Sequence, residues 1–343
     1  MTLEFEKLTA DLEKMAQTAA RRRQRQETQT TIYQQTLNEY ATDWSRIEEA
    51  LRYAAKKADE KFYRSAGPLD DSEPLNTAVS PPPPPELATI IAVDGSQILP
   101  DRHAAYQYYL VNVGGIVYHH GQGKQPDIFS IPTLVYPDED KIDEFDFSSG
   151  DVSIERDEAE IQMLAKQSVK HRHLEGPMLS LLDQRLLYWP IGSAGEAENS
   201  VVTEWNKHMA SMHAADALLA GYIDRPGTSY VTTLLRSLEG LKDDFFDWKS
   251  LGKRSATGGI TDRDLFSQIL GPGQRSRVFV NISPPNQQFS AIDPSHEICF
   301  FYLNPTTSDR QIARVDIPRW VADDAEAVTA VHSLIVSQCQ IMG

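Results

Sequence analysis

Residues 89–121, TIIAVDGSQILPDRHAAYQYYLVNVGGIVYHHG, decide the fold. An apolar run reaches Asp94 and meets Gly95-Ser96, and a second apolar run returns through Tyr106 to Tyr118. Short apolar runs bounded by Gly, Pro and Asp read as strands. The stretch therefore predicts a buried strand over 88–94, a turn at Gly95-Ser96 and a returning strand over 105–119. Asp before Gly is ordinary turn chemistry, because its side chain bonds the backbone two residues on. A carboxylate at the end of a buried strand is equally a place to hold a ligand.

Working outward, strands are expected at 128–136, 177–189, 221–224, 277–282, 297–303 and 311–317. Helices are expected at 153–171, 200–220, 229–242, 261–270 and 323–342. Adjacent early strands followed by alternation predict an α/β fold, a mixed sheet with helices on its faces. Residues 2–65 read as helix: Leu3, Leu8, Leu12 and Met15 recur near helical spacing, and Gly and Pro are absent. RRRQRQ at 21–26 is either a solvated helix face or a contact for phosphate or a partner. The stretch 66–86 ends in five prolines, a stiff polyproline II spacer. The expected organisation is an N-terminal helical extension over 1–65, a proline-rich linker over 66–86 and a main domain over 87–343, with the extension burying its stripe on a second subunit or a partner.

The chain has 343 residues, 41% of them hydrophobic, enough for one large core. No stretch approaches the roughly 18 apolar residues of a membrane span, and the start MTLEFEKLTADLEKM is no secretory signal. Two cysteines, Cys299 and Cys339, make no disulfide scaffold and fit a reducing cytoplasm. The net charge of -16 argues against a nucleic-acid coat protein, but not against a nuclease whose carboxylates bind metal. Residues 137–160 concentrate eleven Asp or Glu against Lys141 and Arg156.

Three places could bring carboxylates together. Asp94 is the first. Asp183 interrupts the apolar run LSLLDQRLLYW, where a lone Asp is costly unless paired, hydrogen-bonded or bound to a metal. Asp157, Glu158 and Glu160 begin the helix between them, IERDEAEIQMLAK, where acidic residues also suit the helix dipole. Two strand-borne Asp and one helix-borne Glu converging at one end of a sheet would form a hard-oxygen site for magnesium or manganese. Two such ions can activate water and stabilise a leaving oxygen. The histidines are weaker candidates. His119-His120 would point to opposite faces of a strand, HRH at 171–173 has no companion, and His208 and His213 are five apart rather than four. No GxxxxGK[ST] loop is present, and IGSAG at 191–195 is not a nucleophile elbow. Arg225, Arg275 and Arg277 lie beside expected turns, where Arg either holds phosphate or is simply solvated at the surface.

The motifs IIAVDGSQ, RDEAEIQML and LSLLDQRLLYW, with AGYIDRPGTSYV and TDRDLFSQILGPGQRSRVF, resemble the NurA nucleases over roughly 88–343. The resemblance implies an RNase H-like fold and a manganese- or magnesium-dependent nuclease acting on DNA. It also implies a homodimer working beside a HerA-like hexameric ATPase in DNA end processing and double-strand break repair. Carried over by motif, Asp94, Glu160 and Asp183 are the expected catalytic metal ligands, with Glu158 the alternative on the helix because it lies closer to the stripe of Ile161 and Ala165. Gln184-Arg185 stand where the family usually has Gly-Ser. The family's Tyr and His near the C-terminus have no counterpart before the chain ends at SQCQIMG. A catalytically impaired adaptor docking on the HerA-like ring is therefore the competing expectation.

Overall fold

The computed structural model describes residues 8–101, 103, 106–137, 148–189, 196–253, 259–305 and 311–342. The densest acidic stretch, 138–147, and the 191–195 segment lie outside these.

The sheet is built first from β3 (Ala88–Ile98), β4 (Tyr109–His120) and β5 (Asp127–Val135), an antiparallel meander. The chain then crosses through α3 (Ser149–His171) to β6 (Met178–Leu182), which pairs parallel with β3. A second crossover through α4 (Glu196–His213) places β7 (Ala217–Ile223) parallel to β6. The spatial order β5-β4-β3-β6-β7, with only β4 antiparallel to the strands beside it in the middle, is the RNase H-like arrangement. β6, covered on both faces, reads as a nearly continuous apolar run, as parallel strands do.

Beyond β7 the sheet continues antiparallel through β11 (Ala313–Pro318), β10 (Ile298–Leu303), β9 (Phe279–Ile282) and β1 (Ser65–Pro68). Two short strands, β2 (Ala78–Val79) and β8 (Arg275–Ser276), pair with each other, and β8 also meets β10. On one face, α3 and α4 pack over β3 and β6 through Ile161, Leu164, Trp205 and Met209. Beside them α1 (Thr9–Glu39), α2 (Trp44–Lys57), α5 (Tyr230–Gly240) and α6 (Asp262–Phe266) share a core with Phe279, Phe300 and Tyr302. After the one-turn α8 (Arg319–Ala322), the other face is covered by α9 (Ala325–Met342), whose Val328, Val331, Leu334 and Ile335 lie on Ile90, Leu179, Phe301 and Val315.

Several expectations change. β3 does not turn at Gly95-Ser96; it runs on to Ile98, and every residue from Ala88 to Ile98 has a partner on β4. What stops near Asp94 is the parallel neighbour: the β3–β6 pairing ends at Val93 and Leu182. The strand expected over 177–189 is correspondingly only five residues long, so Asp183 lies just past its end and is exposed rather than inside a buried run. Helix α3 starts four residues early because Ser148 and Asp151 form a reciprocal capping box. A helix over Pro284–Ile292, α7, capped by Ser283, had no counterpart in the sequence reading.

The boundary expected at 66–86 does not divide two cores. Tyr33, Leu37, Ile47 and Ala50 of the helical extension are fully buried with Leu234, Leu235 and Phe300 of the main domain. Residues 65–68 and 78–79 of the expected extension and linker are strands of the main sheet. Only the first half of α1, with Leu12 and Met15, lies exposed. Arg275 and Arg277, expected at turns facing phosphate, are buried. Arg275 pairs with Glu73 at 3.0 Å. Arg277 donates to the carbonyls of Asp70 and Glu73 and lies 5.3 Å from the centre of the Trp44 ring. They pin the segment before the prolines onto the sheet. Arg225 is exposed in left-handed backbone (φ 47°) and pairs with Asp224.

Candidate active site

Side chains alternate across a strand, so Asp94 shares a face with Ala92 and Ser96, and Gly95 faces the opposite way. Asp183 follows β6 in the position that would pair with Asp94 if the ladder went one step further. The two aspartates are therefore neighbours on adjacent parallel strands, and both are exposed. They line a groove of about 590 Å³ whose floor is Ala92, Gly114, Ile116, Leu181 and Tyr222. The groove lies on the face that α9 covers further along, over β3 and β4.

Glu160 reaches the same edge from α3. Helix α3 lies so close to β3 that a Cβ on Gly95 would stand 2.3 Å from Glu160 Oε1 and 2.7 Å from Arg156 Cγ. Only glycine permits this approach. The Glu160 carboxylate is buried; Gln184 Nε2 donates to its Oε2 at 2.8 Å, and Arg156 Nε lies 3.3 Å from its Oε1. Arg156 also pairs with Asp157 at 2.7 Å. Glu158 turns elsewhere, with Glu204 of α4 and Glu155 as its charged neighbours. Of the two helix candidates, Glu160 is the one beside the strand aspartates.

Glu160 and Asp183 each feel the charge of Asp94. Burial pushes Glu160 up to about 7, with Asp157 and Asp94 adding to the rise and Arg156 and Gln184 opposing it. Burial also raises Asp183, followed by the charges of Asp94 and Asp224. Asp94 is thus the common neighbour of both. The donor set is chemically that of a hard divalent cation, all carboxylate oxygen, and a cation would relieve the like-charge repulsion that raises these groups. With the side chains as they stand, no group of three His, Cys, Asp or Glu among the described residues closes on one point. Glu160 is engaged by Gln184 and Arg156. A cation held by all three carboxylates would require Glu160 to leave at least one of them.

In the sequence Gln184 reads only as a departure from the family's Gly-Ser, and Arg156 only as one charge in an acidic stretch. Both bind Glu160. The signal for Arg156 was present in its i, i+4 spacing to Glu160; Gln184 meets Glu160 through tertiary contact alone. His119 is buried beside Asp127 at 3.2 Å, and His213 stacks on Trp320, so neither joins the carboxylates.

The NurA domain model matches residues 88–340. The chain belongs to the NurA family. A solved relative with the same family name, the NurA nuclease from Sulfolobus solfataricus, aligns with 86% of this chain and 83% of its own at 11% identity, with a TM-score of 0.42. Endonuclease V of Ciona intestinalis, solved with a 24-mer DNA containing an inosine followed by a ribo-adenosine, aligns with 46% of this chain and 56% of its own. The identity there is 16% and the TM-score 0.20. No curated protein matches. The NurA match begins at Ala88, the first residue of β3, and so leaves α1, α2, β1 and β2 outside the family domain although they complete its sheet and core.

The raised Glu160 carboxyl gives a stability prediction for the metal-free protein. A group that binds its proton more tightly folded than unfolded lowers stability as pH rises from its unfolded value, 4.5, through about 7. Glu160→Gln removes that loss and keeps an amide that can bond Gln184. In EDTA at pH 8 the variant should be more stable than the parent by on the order of 2 kcal/mol, and the two should converge near pH 4.5. Urea melts across this range check it; equal stabilities at pH 8 would mean the carboxyl is not strained in solution.

Proposed function

We propose that this NurA-family chain is a metal-dependent DNA nuclease that hydrolyses phosphodiesters, with Asp94, Asp183 and Glu160 holding Mn2+ or Mg2+. The observation that carries the reading is the side-by-side placement of Asp94 and Asp183 on adjacent parallel strands, with Glu160 delivered to the same edge by α3. Bound ions would supply Lewis-acid activation of water and charge neutralisation at the phosphate. The chain's own contribution is geometric and electrostatic. β3 and β6 fix the two aspartates at one level. Gly95 lets α3 approach, and Gln184 and Arg156 hold Glu160 in reserve. The groove along Ala92, Gly114 and Leu181 gives a strand of DNA a floor beside the carboxylates.

The same reading places the protein in the cytoplasm as a homodimer beside a HerA-like hexameric ATPase, in DNA end processing and double-strand break repair. The sequence has no ATP-binding loop, so ATP hydrolysis would come from the partner. No helix among the described residues is long and apolar enough to cross a membrane. The test is cleavage of linear single- and double-stranded DNA with manganese, with magnesium and with EDTA. Cleavage with either metal and none in EDTA is expected; intact DNA under every condition would refute the reading and leave the adaptor role.

A further inference from the structure

A second cavity opens at the carboxyl ends of β6 and β7, on the opposite face of the sheet from the groove. The faces are fixed by β11: Val315 and Ile317 belong to the α9 core, whereas Arg314 and Asp316, pointing the other way, line this cavity. It encloses about 280 Å³, small among ligand sites, and Arg64, Arg185, Trp189, Tyr230 and Asn281 contribute to its wall.

The charge inside is unbalanced. Arg314 and Asp316 neutralise each other through a 2.7 Å contact. Arg64 spends one guanidinium nitrogen on the carbonyls of Glu60 and Tyr63, and Arg185 contacts the Trp189 carbonyl at 3.4 Å and shares the charge of Asp316 with Arg314. Neither is ion-paired with a carboxylate among the described residues. Two guanidinium groups therefore face one small cavity in a chain of net charge -16, and Arg in this state suits a phosphate. Two further features point to more than an inorganic anion. Trp189 gives the wall an aromatic surface on which a base can stack, beside Tyr230, whose ring lies 4.9 Å from the Arg314 guanidinium. Asn281 is 2% exposed and its Oδ1 has no hydrogen-bond partner. A buried amide oxygen left so is costly, and an N–H on a ligand would satisfy it.

We propose that this cavity is a nucleotide pocket, in which Arg64 and Arg185 hold a phosphate, Trp189 and Tyr230 bound the base, and Asn281 accepts a base N–H. It deepens the nuclease reading and rests on it in one respect, the source of the nucleotide. Asp183 and Arg185 are two residues apart, at most about 7 Å along the chain. A strand whose scissile phosphate lies at Asp183 would present the neighbouring nucleotide to the pocket across the sheet edge.

Calorimetry on the full chain in EDTA tests this without catalysis, using deoxyadenosine 5′-monophosphate, deoxyadenosine and inorganic phosphate as separate probes. The monophosphate should bind at least tenfold more tightly than either fragment. Arg185→Ala, at an exposed position, should weaken it at least tenfold without lowering the melting temperature; Trp189→Leu, where the ring packs partly on the core, should weaken it at least tenfold in protein that circular dichroism shows to be folded, and Asp94→Ala should leave it unchanged. No binding of the monophosphate at millimolar concentration overturns the proposal, as does undiminished binding by Arg185→Ala. Phosphate binding as tightly as the nucleotide also overturns it, reducing the cavity to an anion site. DNA cleavage without nucleotide binding would remove the pocket and keep the nuclease. Nucleotide binding that depends on Arg185, with no cleavage in any metal, would do the reverse.

Discussion

Asp94→Ala should abolish metal-dependent DNA cleavage, by a thousandfold or more, while leaving the fold intact. The aspartate is the common neighbour of Asp183 and Glu160, so its loss removes the ligand that ties the two sides of the site together. A thousandfold corresponds to about 4 kcal/mol of lost transition-state stabilisation. Stability gives an independent reading. No hydrogen bond to the Asp94 carboxylate is present among the described residues, and its charge opposes ionisation of two neighbours. Without metal the variant should melt at the parent temperature or slightly above, since removing a like charge is favourable. With manganese the parent should gain stability by mass action and the variant should not. An aspartate that served only the backbone would behave oppositely. The variant would melt lower by roughly 1 kcal/mol and keep the full manganese shift, and thermal melts with and without metal would expose that.

Deleting residues 1–86 should unfold the chain rather than release a stable family domain. The deletion removes Tyr33, Leu37, Ile47 and Leu75, each fully buried. At about 2 kcal/mol apiece their loss alone approaches the 5–15 kcal/mol that ordinarily holds a domain folded. It also strips β1 from β9. Buried Arg275 loses Glu73, and Arg277 loses the Asp70 and Glu73 carbonyls and the Trp44 face, leaving two guanidinium charges without most of their partners. Removing only residues 1–25, which are exposed along α1 as far as they are described, should leave the melting temperature nearly unchanged. Circular dichroism melts of both truncations decide the matter. A cooperative transition near the parent temperature for the longer deletion would make the N-terminal segment a separable module after all.

The contrast between these two cases shows how far local sequence carries. Most of the order of strands and helices from 88 onward, though not α7, is legible because apolar runs and helical spacing are local properties, and Asp94 and Asp183 stand out because each meets an apolar run. The capping box at Ser148-Asp151 was equally local, yet the helix start was placed late because acidic residues there look alike. Glu158 and Glu160 differ by two positions on one helix; the motif points to Glu160 and the apolar stripe to Glu158, and Glu160 lies beside Asp94 because Gly95 admits α3 at that turn.

Local sequence alone shows most strands and helices after residue 88, that they make an α/β mixed sheet, and where the carboxylates sit along the chain. These follow from periodicity, turn chemistry and the cost of an aspartate beside apolar residues, all properties of near neighbours. The folded chain adds that β6 lies parallel to β3 and stops one residue short of Asp94, that Gln184 bonds Glu160, and that 65–68 and 78–79 pair with strands at 279–282 and 275–276. Such contacts join residues far apart in the chain. Their free energy comes from hydrogen-bond register and from burial shared between distant elements, and no local pattern of residues records which distant partner will supply it.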